Sequence, residues 1–193
     1  MLRMAVKGDE TRMRLIEATR DLIEAKGYHG TGLNEVLAAS GAPRGSLYHH
    51  FPGGKDQLVG EALTRAGKEI DALVRELSSG AAGADELVHA LLGALADRME
   101  AADYAKGCPV ATVALEVSAT HEPLRRICAD VYGAWERALA DALCAEGRPA
   151  DEAEELSGTV LALIEGALVL ARARRSRTPV ERARRRVRTL LAS

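Results

Sequence analysis

The chain has 193 residues, of which 47% are hydrophobic and only 3% aromatic, enough for one or two small domains with a buried core. A formal charge of −2 shows that it is not globally basic. Its three cysteines lack framework spacing, which argues against a disulfide scaffold and for reduced thiols in the cytoplasm.

Alanine and leucine dominate and no β-branched alternation runs for any length, so the predicted class is all-α, with about nine helices. No apolar stretch reads as long or charge-free enough to span a bilayer, and residues 1–7 are too short and polar for a secretory signal. The first helix is predicted over Asp9–Lys26, where Leu15, Ala18, Leu22 and Ile23 recur at helical spacing. Gly27 ends it. A second helix runs from about Leu33 to Ala39, with Glu35 placed for a capping box. Ser40-Gly41-Ala42 is the turn, with glycine where a helix ends in a left-handed residue.

A third helix starts at Pro43, which suits a first helical position. Leu47 and Phe51 form its inner face at i and i+4. Its outer face holds Arg44, Gly45, Ser46, Tyr48 and His49, side chains that hydrogen-bond to phosphates and base edges or, for glycine, let backbone approach closely. Two short helices and a tight turn with such a face read as a DNA-reading helix-turn-helix; the alternative is a partner-binding helical module whose helix-turn-helix is only structural.

Pro52-Gly53-Gly54 breaks the pattern. A long fourth helix, about Lys55 to Leu77 and roughly 35 Å in length, follows. Residues 78–83 read as a flexible loop. Further helices are predicted over Asp85–Ala101, from Pro109 to about Ala119, from Pro123 to Cys144, over Asp151–Arg174 and from Thr178 onward. Residues 172–188 hold nine arginines and one acid, Glu181. This reads as a solvated basic helix with a Glu181–Arg185 pair at i, i+4. The eighth helix is apolar over more of its surface than one core-facing stripe needs, so it is either a central core helix or a subunit interface.

Gly27-Tyr28, Thr31, Ala38, Gly41, the run Arg44-Gly45-Ser46-Leu47-Tyr48-His49-His50-Phe51, and Lys55 with Leu58 resemble the DNA-binding head of the TetR/AcrR family of transcriptional regulators. Gly107-Cys108-Pro109-Val110-Ala111 and the run from Ile164 to Ala173 resemble its LmrA/YxaF-like subgroup. Gly32 departs from the family's usual Ser or Thr, removing a side-chain phosphate contact. The resemblance implies a DNA-binding domain over residues 1–52 and an effector-binding and dimerisation domain over 53–193. It implies a cytoplasmic, homodimeric regulator, a repressor released from a palindromic double-stranded operator by a small apolar or amphipathic molecule. Thr31, Asn34, Tyr48, His49 and Lys55 would position phosphates, and Arg44, Gly45 and Ser46 would face base edges. Val160, Leu163, Gly166, Ala167 and Leu170 are the candidate dimer face.

Met99, Tyr104, Cys108, Val113, Glu116, Tyr132 and Trp135 are the candidate effector lining, set between the fourth helix and the fifth to seventh. For Glu116 an ion pair with Arg125 or Arg126 is the duller fate. No His, Cys and carboxylate spacing suits a metal, and no phosphate loop, nucleophile elbow or nucleophile–base pair appears. Neither a cofactor, a membrane partner nor an enzyme is expected.

Overall fold

A computed structural model describes residues 2–78 and 80–191; Ser79, in the predicted loop, and the last two residues lie outside the described residues. Among the described residues there are nine helices and no strand: α1 Leu2–Lys26, α2 Leu33–Ser40, α3 Arg44–His50, α4 Gly54–Ser78, α5 Ala84–Ala101, α6 Pro109–Val117, α7 Glu122–Ala145, α8 Ala150–Arg174 and α9 Thr178–Leu191. The all-α expectation holds. The first helix begins earlier than Asp9, because Gly8 weakens a helix by only about 1 kcal/mol and does not stop it.

The helix stops follow from backbone chemistry. Gly41 takes the left-handed conformation after α2, at φ 61°, where a Cβ would be strained. Arg175 takes the same conformation after α8, at φ 45°, and its N–H caps the Ala171 and Arg172 carbonyls. Pro43 precedes α3 in extended conformation, as its N-cap, one position earlier than expected.

Packing divides the chain into two compact units, and the division is discontinuous. One comprises residues up to Ala66 with Pro109–Ala129; the other comprises Gly67–Cys108 with the residues from Asp130 onward. The expected division at residue 52 follows chain order, whereas packing adds α6 and the start of both α4 and α7 to the first unit. Its core is built from Leu15, Ile23, Val36, Leu47, Phe51, Leu58, Leu63, Val110, Val113 and Leu124, all essentially inaccessible to solvent.

The second unit packs α5 and α8 against α9. Its core includes Leu92, Leu143, Val160, Ile164, Ala167, Ala171, Val180 and Val187. Arginines fringe it. Arg177 binds Asp97 and Glu100 of α5 as well as Glu181. Glu181 therefore pairs with Arg177 and Arg184, not with Arg185 as the i, i+4 rule suggested. A second correction concerns α8, which is long and apolar enough, by length and composition, to cross a membrane. Seven of its residues, Ser157 among them, are buried in this unit, which accounts for only part of that apolar content.

Candidate nucleic-acid interface

The reading helix is held from beneath by two residues. Leu47 and Phe51 are wholly buried, and Arg12 of α1 lies 5.4 Å from the Phe51 ring centroid. The turn before it is tied by Arg14, whose guanidinium donates to the Ser40 carbonyl at 3.2 Å. Ala42 N–H in turn donates to Ser40 Oγ. Thus α3 is fixed at its base and free on its outer side.

Arg44, Gly45, Tyr48 and His49 are exposed, Tyr48 at 57%. Asn34 on α2 accepts a 3.0 Å hydrogen bond from Arg44. This bond orients the guanidinium without neutralising it, leaving its charge for a phosphate or a guanine edge. Ser46 spends its hydroxyl on the Pro43 carbonyl at 2.5 Å. A Cβ added at Gly45 would meet nothing within 4 Å, so the outer face is open there.

Thr31 corrects the expected set. Its side chain is 1% exposed and its hydroxyl donates to the Gly27 carbonyl at 2.7 Å. Thr31 thus fastens α2 to the end of α1 instead of reaching outward. The expected capping box does not form either: α2 has no side-chain cap, and Glu35 pairs with Lys26.

A polar cluster beside the head was only partly legible. Gly27 sits at φ 74°, and a Cβ there would overlap the Glu116 carboxylate. Glu116, on α6, accepts the His29 N–H at 2.8 Å. Its expected partners Arg125 and Arg126 are instead engaged by Glu122. Tyr28 donates to Asp56 Oδ1 at 2.5 Å, and His121 Nε2 lies 3.0 Å from Asp56 Oδ2. Leu124 N–H donates to His121 Nδ1 at 3.3 Å, so the neutral ring carries its proton on Nε2, facing Asp56. Lys55 lies 4.2 Å from the Tyr28 ring centroid, as a cation–π pair.

These contacts set the local ionisation. Burial and the Asp56 hydrogen bond push the Tyr28 phenol up to about 12. The Tyr28 and His121 hydrogen bonds hold Asp56 below its ordinary value. Desolvation lowers Lys55, against the opposing charges of Asp56 and Glu116. Asp56 and His121 were missed by the sequence reading; they are 65 residues apart, and no local spacing announces them.

The other expected residues divide between the units. Val113 and Glu116 belong to the first. Met99, Tyr104, Cys108, Tyr132 and Trp135 belong to the second, where Met99 is buried in the core and Tyr104 and Cys108 pack against it. Tyr132 meets Trp135 edge-to-face at 5.7 Å. On α8, Val160 and Ala167 are core residues and drop from the candidate dimer face, whereas Gly166 and Leu170 are exposed and Leu163 is half-buried. Among the described residues no group of His, Cys, Asp and Glu could hold a metal ion.

A short helix anchored by two apolar residues, with a polar outer face and an oriented arginine, defines a helix-turn-helix transcriptional regulator. Comparison with known proteins gives the particular family. Residues 15–62 match the model of bacterial regulatory proteins of the tetR family, and residues 84–186 match that of the LmrA/YxaF-like transcriptional regulator C-terminal domain. The chain belongs to the TetR family, in its LmrA/YxaF-like group. It is 34% identical to the HTH-type regulator YxaF of Bacillus subtilis, over 92% of each chain. To LmrA of the same organism it is 34% identical, covering 89% of this chain and 91% of that protein. A TetR regulator structure from Chloroflexus aurantiacus superposes with a TM-score of 0.82 at 28% identity, covering 97% and 96% of the two chains. Regulators of this family bind DNA operators and typically dimerise.

Proposed function

We propose that the chain is a cytoplasmic, homodimeric repressor that a small apolar or amphipathic molecule releases from a palindromic operator. The observation that carries the responsive part is the Glu116–His29 hydrogen bond. It ties α6, far along the chain, to the turn that opens the reading head. The bond gives α6 a direct hold on that turn. The repressor sense is supported by a relative, 23% identical, named the transcriptional repressor DhaR of a Mycobacterium species.

Arg44, Gly45 and Ser46 face base edges, and Asn34, Tyr48, His49 and Lys55 position phosphates. The dimer forms on the outer face of α8, where Leu163, Gly166, Val169 and Leu170 present an apolar strip. A two-fold dimer reads a two-fold site. Met99, Tyr104, Cys108, Tyr132 and Trp135 of the second unit supply the effector lining. The effector acts by binding the DNA-incompetent state more tightly; a preference of about 1–3 kcal/mol changes operator affinity roughly 5- to 150-fold.

The test is selection from random duplex DNA with the full chain, followed by anisotropy titration of the selected site. A palindromic consensus, two chains per site and a loss of about 1–3 kcal/mol on Arg44→Ala are expected. Sequence-independent binding that Arg44→Ala leaves unchanged would favour the structural helix-turn-helix module instead.

A further inference from the structure

Glu165 stands on α8 in the second unit and is half-buried as a residue. Its neighbours along α8, Ile164, Ala167 and Leu168, are core residues, whereas Gly166 and Leu170 are exposed. The carboxyl accepts a hydrogen bond from the Cys108 thiol. Its Oε2 is sealed from solvent and has no hydrogen-bond partner. Burial pushes its pKa up, and the thiol only partly opposes that.

Two facts set this group apart. A sealed carboxylate oxygen without a donor destabilises the fold by more than its neighbour's bond returns, and leucine or methionine would fill the place without that penalty. The bond to Cys108 also joins the two runs that resemble the LmrA/YxaF-like subgroup, residues 107–111 and 164–173. Cys108 and Tyr104 pack against the same apolar cluster as Met99. An orphaned acceptor beside apolar residues is the kind of group with which a ligand site fixes the orientation of an amphipathic guest.

Resting on the effector-responsive reading above, we infer that Glu165 is the polar anchor of the effector site and receives a hydrogen-bond donor carried by an apolar molecule. The donor is an ammonium or a hydroxyl. A carboxylate guest brings a further acceptor and a like charge to an oxygen that lacks a donor, so the site selects against it. The core residues supply the attraction and Glu165 the orientation.

Three matched probes test this by calorimetry on the full-length protein: 2-naphthylmethylamine, 2-naphthalenemethanol and 2-naphthoate. The amine or the alcohol should bind at least about tenfold tighter than the naphthoate. Glu165→Leu should abolish that preference. Glu165→Gln keeps the shape and an acceptor oxygen while removing the charge, and it also serves if Glu165→Leu fails to fold. A loss of about tenfold for the amine in Glu165→Gln, with the alcohol little changed, assigns an ammonium ligand. The alcohol as the tighter probe, retained in Glu165→Gln, assigns a hydroxyl ligand. Equal or tighter binding of naphthoate, a preference that survives both substitutions, or no binding by any probe at millimolar concentration overturns the inference. Operator titration of the same variants keeps the two readings apart. Unchanged DNA binding with a failed probe series sinks the anchor alone, whereas loss of sequence-specific DNA binding by the wild-type chain sinks the regulator reading.

Discussion

Replacing Gly27 by alanine probes the join between the reading head and α6. Two costs follow from the structure. Gly27 is at φ 74°, where a Cβ costs about 1–2 kcal/mol. That Cβ would also overlap the Glu116 carboxylate. The carboxylate is the far end of a flexible side chain, so it can swing away, but only by releasing the His29 N–H it accepts at 2.8 Å. A hydrogen bond to a charged acceptor at a partly exposed site contributes about 1 kcal/mol. Gly27→Ala should therefore destabilise the protein by about 2–3 kcal/mol, a fall in Tm of roughly 5–10 °C for a chain of this size.

A double-mutant cycle with Glu116→Ala separates the two terms. Once the carboxylate is gone, Gly27→Ala should cost only the left-handed strain, leaving about 1 kcal/mol of coupling between the sites. Urea denaturation of the four proteins measures it. Equal costs for Gly27→Ala in both backgrounds would refute the contact, and a cost below about 0.5 kcal/mol in the wild type would refute the backbone argument as well.

Gly45→Ala meets nothing within 4 Å and improves helix propensity, so the free protein should gain about 0.5–1 kcal/mol; operator affinity measured by anisotropy should nonetheless fall, because the added methyl stands on the DNA-facing side. Gly32→Ser supplies the N-cap that α2 lacks, giving a few tenths of a kcal/mol and, in a salt titration, a slope steeper by about one phosphate contact. Asp56→Asn should cost about 0.5–1.5 kcal/mol at neutral pH, at the lower end because Asp56 is half exposed. Since the folded pKa of Asp56 is depressed, its contribution is present above about pH 4 and fades as pH falls further; a difference that persists unchanged into acid would contradict the Tyr28 and His121 bonds. Leu170, 47% exposed, lies on the proposed dimer strip, so Leu170→Glu should convert a dimer to a monomer in light scattering while leaving the circular dichroism of the fold intact.

What could be read from the sequence was local. Gly41 marked a turn because a left-handed residue after α2 calls for glycine, and the alternation of Leu47 and Phe51 with polar residues set which side of α3 faces the core. The eighth helix resisted the same treatment. It is apolar nearly all round, so spacing alone could not separate Val160 and Ala167, which face the core, from Leu163, Gly166 and Leu170, about one residue's turn away. Glu116 shows the other limit. The sequence offered Arg125 and Arg126 as its partners, but its partner is the backbone of His29, 87 residues away. Thr31 was misread for a related reason: a hydroxyl at a helix entrance can bind a phosphate or close the chain on itself, and only the position of the Gly27 carbonyl decides.

Buried Val110, Val113 and Leu124 pack α6 and the start of α7 into the first unit, and the polar cluster adds to that packing. Two tethers run from that part of the chain to the head. One is Glu116 on the His29 N–H, at the turn between α1 and α2; the other is His121 on Asp56, at the start of α4. Between them lies Lys55, over Tyr28, in the position from which the proposed reading has it touch phosphate. Each tether is partly exposed and contributes on the order of 1 kcal/mol. Their sum falls within the range of free energies by which one ligand typically alters the binding of another. Val110 and Val113 also hold α6 in the buried apolar core of this unit, so the tethers add to that packing and do not replace it. The partly hydrated tethers are the weaker part of that join, and the part that a displacement would break first.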